Sequence, residues 1–348
     1  MEKGKITVLI GGQYGSEGKG AIIRHIADNY GVHVRVGSYN AGHTFYWSGD
    51  KHVMQAIPCG WINPDAEIVI GRGAIVPVEG LLEEIRHIEK YYPDFTDRLF
   101  IDPEAGVLDK KYEEYEGGKD GWLNTKIGST GEGCGAARVA RMNRDSDKYT
   151  RWGDVAHLYG LNKCLYTNTP KLIATAQANG ENTLIEGTQG SGLSLVHSNW
   201  PYCTSIDTNA AGVISEVGIA PTRVTDVLLV CRSYPIRVAG NSGPMQDEIS
   251  WEDLGVKPEI TTVTKKVRRV ARWDDKLFEN SVLMNDPSEV ALTFADYIDP
   301  KVYGLKGKME YPELPQSLHE WISEKSPLLS EKIKYIGTGP DSVIEITK

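Results

Sequence analysis

Apolar positions along this chain fall into short runs that end on glycine and alternate with amphipathic stretches. Ile6 to Ile10 is a compact run closed by Gly11-Gly12, the pattern of a strand covered on both faces. In GAIIRHIADNYG, Ile22, Ile23, Ile26 and Ala27 share one helical face and Gly31 marks a stop. His33 to Val36 then reads as a second strand. A strand–loop–helix–strand opening predicts a sheet with crossover connections. The pattern recurs: Glu67–Ile70 as a strand, LLEEIRHIEKYY as a helix and Arg98–Ile101 as a strand. Thr183–Ile185, Val227–Cys231, Val290–Phe294 and Lys334–Ile336 are further candidate strands. The expectation is an α/β fold, one large domain over residues 1–348 with a central, mostly parallel sheet flanked by helices. Two segments, about 111–135 and 239–272, are rich in Gly and charge, and read as irregular loops inserted at the active site.

Composition narrows the class. At 348 residues, 40% hydrophobic and 24% charged, the chain has ample material for a core. A formal net charge of −9 argues against a sequence-independent grip on nucleic acid, which needs dense Lys and Arg. It leaves room for a nucleotide held by a few placed donors. The cysteines Cys59, Cys134, Cys164, Cys203 and Cys231 are widely spaced, odd in number and form no CxxC pair. They read as free thiols in a reducing cytoplasm. No stretch reaches the length of a membrane span, so a cytoplasmic enzyme without a membrane partner is expected.

Five segments carry candidate chemistry. GGQYGSEGKG, Gly11 to Gly20, offers backbone amides, the point charge of Lys19 and a helix start near Gly18, the parts of a phosphate cradle. It is not a Walker A loop, because Gln13 stands where a glycine is required and Gly20 replaces the magnesium-holding hydroxyl. The alternative is a turn that only packs a helix on the sheet. YNAGHTF, Tyr39 to Phe45, follows a strand, where α/β sheets place ligands. Its His43 could polarise an oxygen or donate a proton near pH 7. IGSTGEG, Ile127 to Gly133, offers the hydroxyls of Ser129 and Thr130, or is a flexible turn. The segment from Ile185 to Ser205 brings Gln189, Thr204 and Ser205 to a loop of low charge. TTVTKKVRRVARWDD, Thr261 to Asp275, reads either as a solvated basic edge or as a clamp for a dicarboxylate.

Taken together and in this order, these segments resemble adenylosuccinate synthetase. The family's glycine loop, NAGHT, TTGRGIGP-like loop, EGAQG with YPYVTSS, arginine-rich loop, TKxD element and terminal STGPD are matched by seven elements of this chain. They are QYGSEGKG, NAGHT, STGEGCG, EGTQG with WPYCTS, TVTKKVRR, TFAD and GTGPD. The resemblance spans Ile6 to about Asp341. It implies a phosphate donor held by Gly15, Glu17, Gly18, Lys19 and Gly20, by Gly42, His43 and Thr44, by Asp296, and by Thr338, Gly339 and Pro340. His43, Ser16 and Lys19 would be catalytic, with His43 as the acid at the purine O6. Asn40, Ser129, Thr130, Gln189, Thr204 and Val238 would hold the nucleoside monophosphate. Arg141 would reach the monophosphate of the neighbouring subunit in a homodimer. Thr264, Lys266 and Arg268 would bind L-aspartate, and Mg2+ would sit on the Gly42 carbonyl and on residue 16.

One departure redirects the reading. The family's catalytic base and metal ligand is the aspartate of GDEGKG, and here that position is Ser16. A serine hydroxyl is a poor base near neutral pH. Shortening the side chain opens room beside the purine C2, and the hydroxyl can accept from an exocyclic N–H. The pattern resembles the phage-encoded branch of the family that makes 2-amino-2′-deoxyadenylosuccinate from dGMP, with ATP or dATP expected as donor ahead of GTP. Lys266 with Val267 replaces an arginine near the ribose 2′-OH, and Phe294 replaces the lysine of the guanine-reading TKxD element. The competing expectations are an ordinary synthetase using IMP and GTP, a silent nucleotide-binding relative, and a kinase-like NTPase.

Overall fold

A computed structural model describes residues 2–117, 121–166, 168–260 and 266–347. The Ile6–Gly11 strand is buried at every position and pairs in parallel with Asp226–Arg232 on one side and Thr183–Gly190 on the other. Alternation of its side chains feeds two cores. Ile6, Val8 and Ile10 join one cluster with the Ala210–Val217 helix, and Leu9 joins the other with Ile22, Ile23 and Ile26. The sheet therefore needs helices on both faces.

Ten strands make the sheet. Outward from Ile6–Gly11 through Thr183–Gly190 come Val32–Arg35, Glu67–Ile70 and Leu99–Ile101. Outward through Asp226–Arg232 come Glu289–Thr293, Ile333–Gly339, Ser342–Thr347 and Gly307–Glu310. All pairings are parallel except Ile333–Gly339 with Ser342–Thr347. The connections leave Ile6–Gly11 in both directions, so a crevice opens at its C-terminal end, where such sheets bind ligands.

Every strand expected from the pattern is present, several with longer bounds. The expected helix starts earlier, at Val78 behind Pro77, and ends at Ile88. Three findings correct the expectations. His43–Trp47 and Asp50–Met54 form a separate two-stranded hairpin rather than a loop. The described residues of the 111–135 segment are largely helical, with Lys110–Glu116, Trp122–Ile127 and the start of Cys134–Asn143. The glycines of this segment end or cap those helices in the left-handed conformation, as at Gly117, Gly128 and Gly133. Residues 239–272 include a short helix at Trp251–Leu254 and strands at Glu248–Ile249 and Arg269–Ala271. No helix of the described residues is long and apolar enough to cross a membrane.

His33 shows how the core opposes charge. Its ring is fully buried and Nε2–H donates to the Ala27 carbonyl at 3.1 Å. Burial holds its pKa down to about 4, against a smaller opposite pull from that carbonyl. A depressed histidine pKa supplies stability above its unfolded value near 6.5 that is lost as pH falls toward about 4, here about 3 kcal/mol. Thermal melts of the protein should fall over that window. His33→Gln, which keeps a donor for Ala27, should show a shallower fall. Equal slopes would separate His33 from acid destabilisation.

Candidate active site

The glycine loop after Ile6–Gly11 turns by way of successive left-handed residues, Gly15 (φ 84°), Ser16 (φ 58°) and Gly18 (φ 82°). The helix Lys19–Ile26 then starts at Gly18, so its first amides face the crevice. Gly20 lets that helix touch the hairpin, since a Cβ there would lie 2.6 Å from the Thr44 carbonyl oxygen. Glu17 is buried and shapes the loop from behind. Its carboxylate accepts from the amides of Gln13 (3.1 Å) and Gly15 (2.8 Å) and from Lys19 Nζ (2.8 Å). Lys19 also donates to the Gln189 carbonyl at 2.5 Å, which leaves one of its three N–H donors.

A buried carboxylate governs the histidine. Glu186 Oε1 lies 2.5 Å from His43 Nδ1 and 2.5 Å from Arg35 Nη1, and Oε2 accepts from the Cys59 amide at 2.8 Å. A carboxylate can only accept, so His43 carries its proton on Nδ1 and turns Nε2 toward the cavity. Nε2 is buried without a partner among the described residues. Burial, then Arg35, lowers the His43 pKa to about 4, against the pull of Glu186. For Glu186 burial is the largest single influence and raises the pKa, but Arg35, His43 and Cys59 together outweigh it and hold the value at about 2. His43, Cys59 and Glu186 bring ligand atoms within 4.8 Å of one another. The set does not suit a metal, because Arg35 already occupies Glu186 and burial keeps the Cys59 thiol protonated.

Most of the expected site residues border one cavity of about 1700 Å³. Gly15, Ser16, Glu17, Gly18, Lys19 and Gly20 form one wall, and Asn40, Gly42, His43 and Thr44 the next. Ser129, Thr130, Gln189, Thr204 and Val238 stand around the same space, as do Lys266, Arg268, Asp296, Gly339 and Pro340. Gln189 adopts φ 50° and its Nε2 donates to Asn40 Oδ1 at 3.1 Å. Asp296 is raised to about 6, mainly by burial.

Two of the named residues lie off this wall, and a third is not among the described residues. Thr338 is fully buried and its hydroxyl donates to the Leu305 carbonyl at 2.5 Å, off the cavity wall. Arg141 points away from its own cavity, to the Arg72 carbonyl and the Tyr149 hydroxyl, both at 3.2 Å. Thr264 lies outside the described residues. The structure also adds residues that the sequence reading missed. Glu186 and Arg35 orient His43. Arg138 borders the cavity one turn from Arg141 and pairs with Glu216 at 2.6 Å. Arg232 pairs with Glu259. The one usable signal was Glu186, the single charged residue of the Thr183–Gly190 strand.

Comparison with known proteins points to one family. The family model for adenylosuccinate synthetase matches residues 8–165 and 155–306. Adenylosuccinate synthetase of Methanococcus maripaludis is 36% identical over 341 residues, covering 96% of both chains. That of Archaeoglobus fulgidus is 35% identical over 350 residues, covering 98% of both. Among solved structures, the cyanophage S-2L succinoaminodeoxyadenylate synthetase, bound to dGMP and to dATP as an energy donor, superposes with a TM-score of 0.82 at 26% identity. It covers 100% of this chain and 97% of that one. A fully ligated adenylosuccinate synthetase from Plasmodium falciparum superposes at 0.84 and 22% identity, covering 99% of this chain and 100% of that one, a likeness of fold.

Glu186→Gln keeps the side-chain volume and strands the Arg35 charge. It should destabilise the protein by about 3–5 kcal/mol in denaturant titrations. NMR titration of the surviving fold should place His43 below its parental pKa, because the group that favoured its protonation is gone. An unchanged His43 titration would remove Glu186 as its partner.

Proposed function

The chain belongs to the adenylosuccinate synthetase family, ligases that use Mg2+ and a nucleoside triphosphate, and we propose that this member joins L-aspartate to C6 of dGMP. The γ-phosphoryl group of ATP or dATP passes to the purine O6 as the N1 proton leaves and ADP or dADP departs; the aspartate amine then attacks C6 and gives up its proton, and phosphate leaves. The product is 2-amino-2′-deoxy-N6-succinyl-adenylate. The observation that carries the reading is Ser16 on the cavity wall at the place of the family's carboxylate. A short neutral side chain leaves space and an acceptor for a 2-amino group. The S-2L enzyme, a structural neighbour, binds dGMP and dATP, which supports the same choice. A second reading, conversion of IMP with GTP, is favoured by the name of relatives such as those of M. maripaludis and A. fulgidus.

The residues divide the work as follows. Gly15 to Gly20, Gly42, Thr44, Asp296, Gly339 and Pro340 hold the donor. Asn40, Ser129, Thr130, Gln189, Thr204 and Val238 hold the monophosphate, and Lys266 and Arg268 the aspartate. His43, oriented through Nδ1 by Glu186, presents Nε2 to O6, and the second proton that makes it a donor there comes onto Nε2 only as negative charge gathers at O6. Gly42 supplies a carbonyl that suits Mg2+ bound largely through phosphate oxygens. The Ser16 hydroxyl fits a metal poorly, because the Arg268 guanidinium lies 2.9 Å from it.

Arg141 supports a homodimer with shared sites. It turns away from its own cavity on a helix whose Val139 and Met142, 52% and 75% exposed, border the cavity, as does Trp200 at 75%. Such a patch suits a second copy of the chain.

Steady-state rates with dGMP and with IMP test the substrate assignment. The parent should prefer dGMP, and Ser16→Asp should lower dGMP turnover and shift preference toward IMP. Equal use of dGMP by both proteins would contradict the role of side-chain size at position 16. His43→Ala should lower turnover about a hundredfold, with little change in nucleotide affinity. Mixing His43→Ala with Arg141→Leu protein under subunit exchange should restore roughly a quarter of parental activity, because half the dimers are mixed and each has one intact site. No recovery despite exchange would confine Arg141 to its own subunit.

A further inference from the structure

Four cations in and behind the cavity wall are matched by carboxylates of the chain, and Arg237 is held by the Tyr202 and Ser242 carbonyls and the Tyr14 ring. Lys19 meets Glu17, Arg35 meets Glu186, Arg138 meets Glu216 and Arg232 meets Glu259. Arg268 differs. Among the described residues its guanidinium makes one side-chain hydrogen bond, from Nη1 to Ser16 Oγ at 2.9 Å. Glu259, the acid whose charge acts on it, is already committed to Arg232 and to the Tyr297 hydroxyl. The Arg268 backbone is fixed to the Glu259 carbonyl at 2.8 Å. Ser16 is fixed too, by the left-handed turn and by Arg232, which donates to its carbonyl at 3.2 Å. The Ser16 hydroxyl thus holds a cation in place without neutralising it, and its own hydrogen is left for the cavity.

We propose that Ser16 is a positioning residue for the amino-acid carboxylate, holding the Arg268 guanidinium uncompensated where nucleotide and L-aspartate meet. This rests on the ligase reading above and adds a second role to residue 16. A carboxylate at this position would pair with Arg268 and compete with the substrate carboxylate for it. A hydroxyl orients the same arginine and leaves its charge to the ligand. Residue 16 therefore sets aspartate affinity as well as the choice of purine.

The test compares the parent with Ser16→Ala, Ser16→Thr and Ser16→Gly, the last chosen because glycine suits the left-handed backbone. KM and kcat are measured for aspartate and for nucleotide, with dGMP and with dIMP, which lacks the 2-amino group. Loss of a hydrogen bond to a charged group should raise the aspartate KM about tenfold in the Ala and Gly variants. The rise should appear with either nucleotide, and Thr should restore the parental value to within about twofold. A rise confined to the dGMP KM would overturn the proposal and leave Ser16 as a reader of the base. Calorimetric titration of the nucleotide-saturated proteins with L-aspartate needs no turnover and separates the two readings. Ser16-dependent aspartate binding without a succinyl product would sink the ligase reading and keep this one. Equal binding by parent and variants would sink this one alone.

Discussion

Everything at the catalytic end of this molecule is arranged around one buried carboxylate. Arg35 and Glu186 are direct partners in the register of neighbouring parallel strands, so the backbone pairing brings their charges together. Burying two ions costs several kcal/mol each unless geometry and further hydrogen bonds compensate. The compensation comes from His43 Nδ1–H and the Cys59 amide, and those two contacts draw the hairpin and the turn after it onto the sheet. The histidine is thus fixed by the same pairing that closes the centre of the fold. Its free nitrogen faces the cavity because its other nitrogen has only one place to go.

Charge in the cavity follows a comparable rule. Where the fold needs a cation for shape, it supplies a carboxylate, as with Glu17 inside the glycine loop and Glu216 beneath Arg138. At Arg268, offered to the substrate carboxylate, the side-chain partner is instead the neutral Ser16 hydroxyl. The exchange of a family carboxylate for Ser16 then has two physical consequences on one side chain. It removes bulk and charge next to the purine, and it leaves Arg268 a net positive group. The strained turn that carries Ser16 is held by glycines on both sides and by Arg232 at its carbonyl, so the hydroxyl cannot drift from that junction.

Much of this was legible in the chain. Buried parallel strands such as Ile6–Gly11 and Asp226–Arg232 announce themselves because both faces are apolar. The glycine loop and NAGHT were visible as clusters at strand ends. The hairpin was not, because His43–Trp47 and Asp50–Met54 mix exposed and buried positions. Its Ser48-Gly49 turn, both residues left-handed, was the missed signal. Gly307–Glu310 is an exposed edge strand without a period to read. The helices within residues 111–135 are short and interrupted by glycines, so their Glu and Lys content read as loop. What no local pattern carries is pairing between residues distant in the chain. Arg35 with Glu186, Arg232 with Glu259 and Ser16 with Arg268 are separated by 151, 27 and 252 residues. The outward turn of Arg141 was expected through the family resemblance alone, since helical spacing does not say which face meets the cavity.

The central claim is that a neutral hydroxyl at position 16 suits this site to a purine with a 2-amino group. The most direct measurement offers the protein equimolar dGMP and IMP together, with L-aspartate, Mg2+ and both ATP and GTP, and reads the products by mass spectrometry. The account predicts that 2-amino-2′-deoxy-N6-succinyl-adenylate accumulates and that adenylosuccinate is a trace product. Adenylosuccinate as the main product would contradict it.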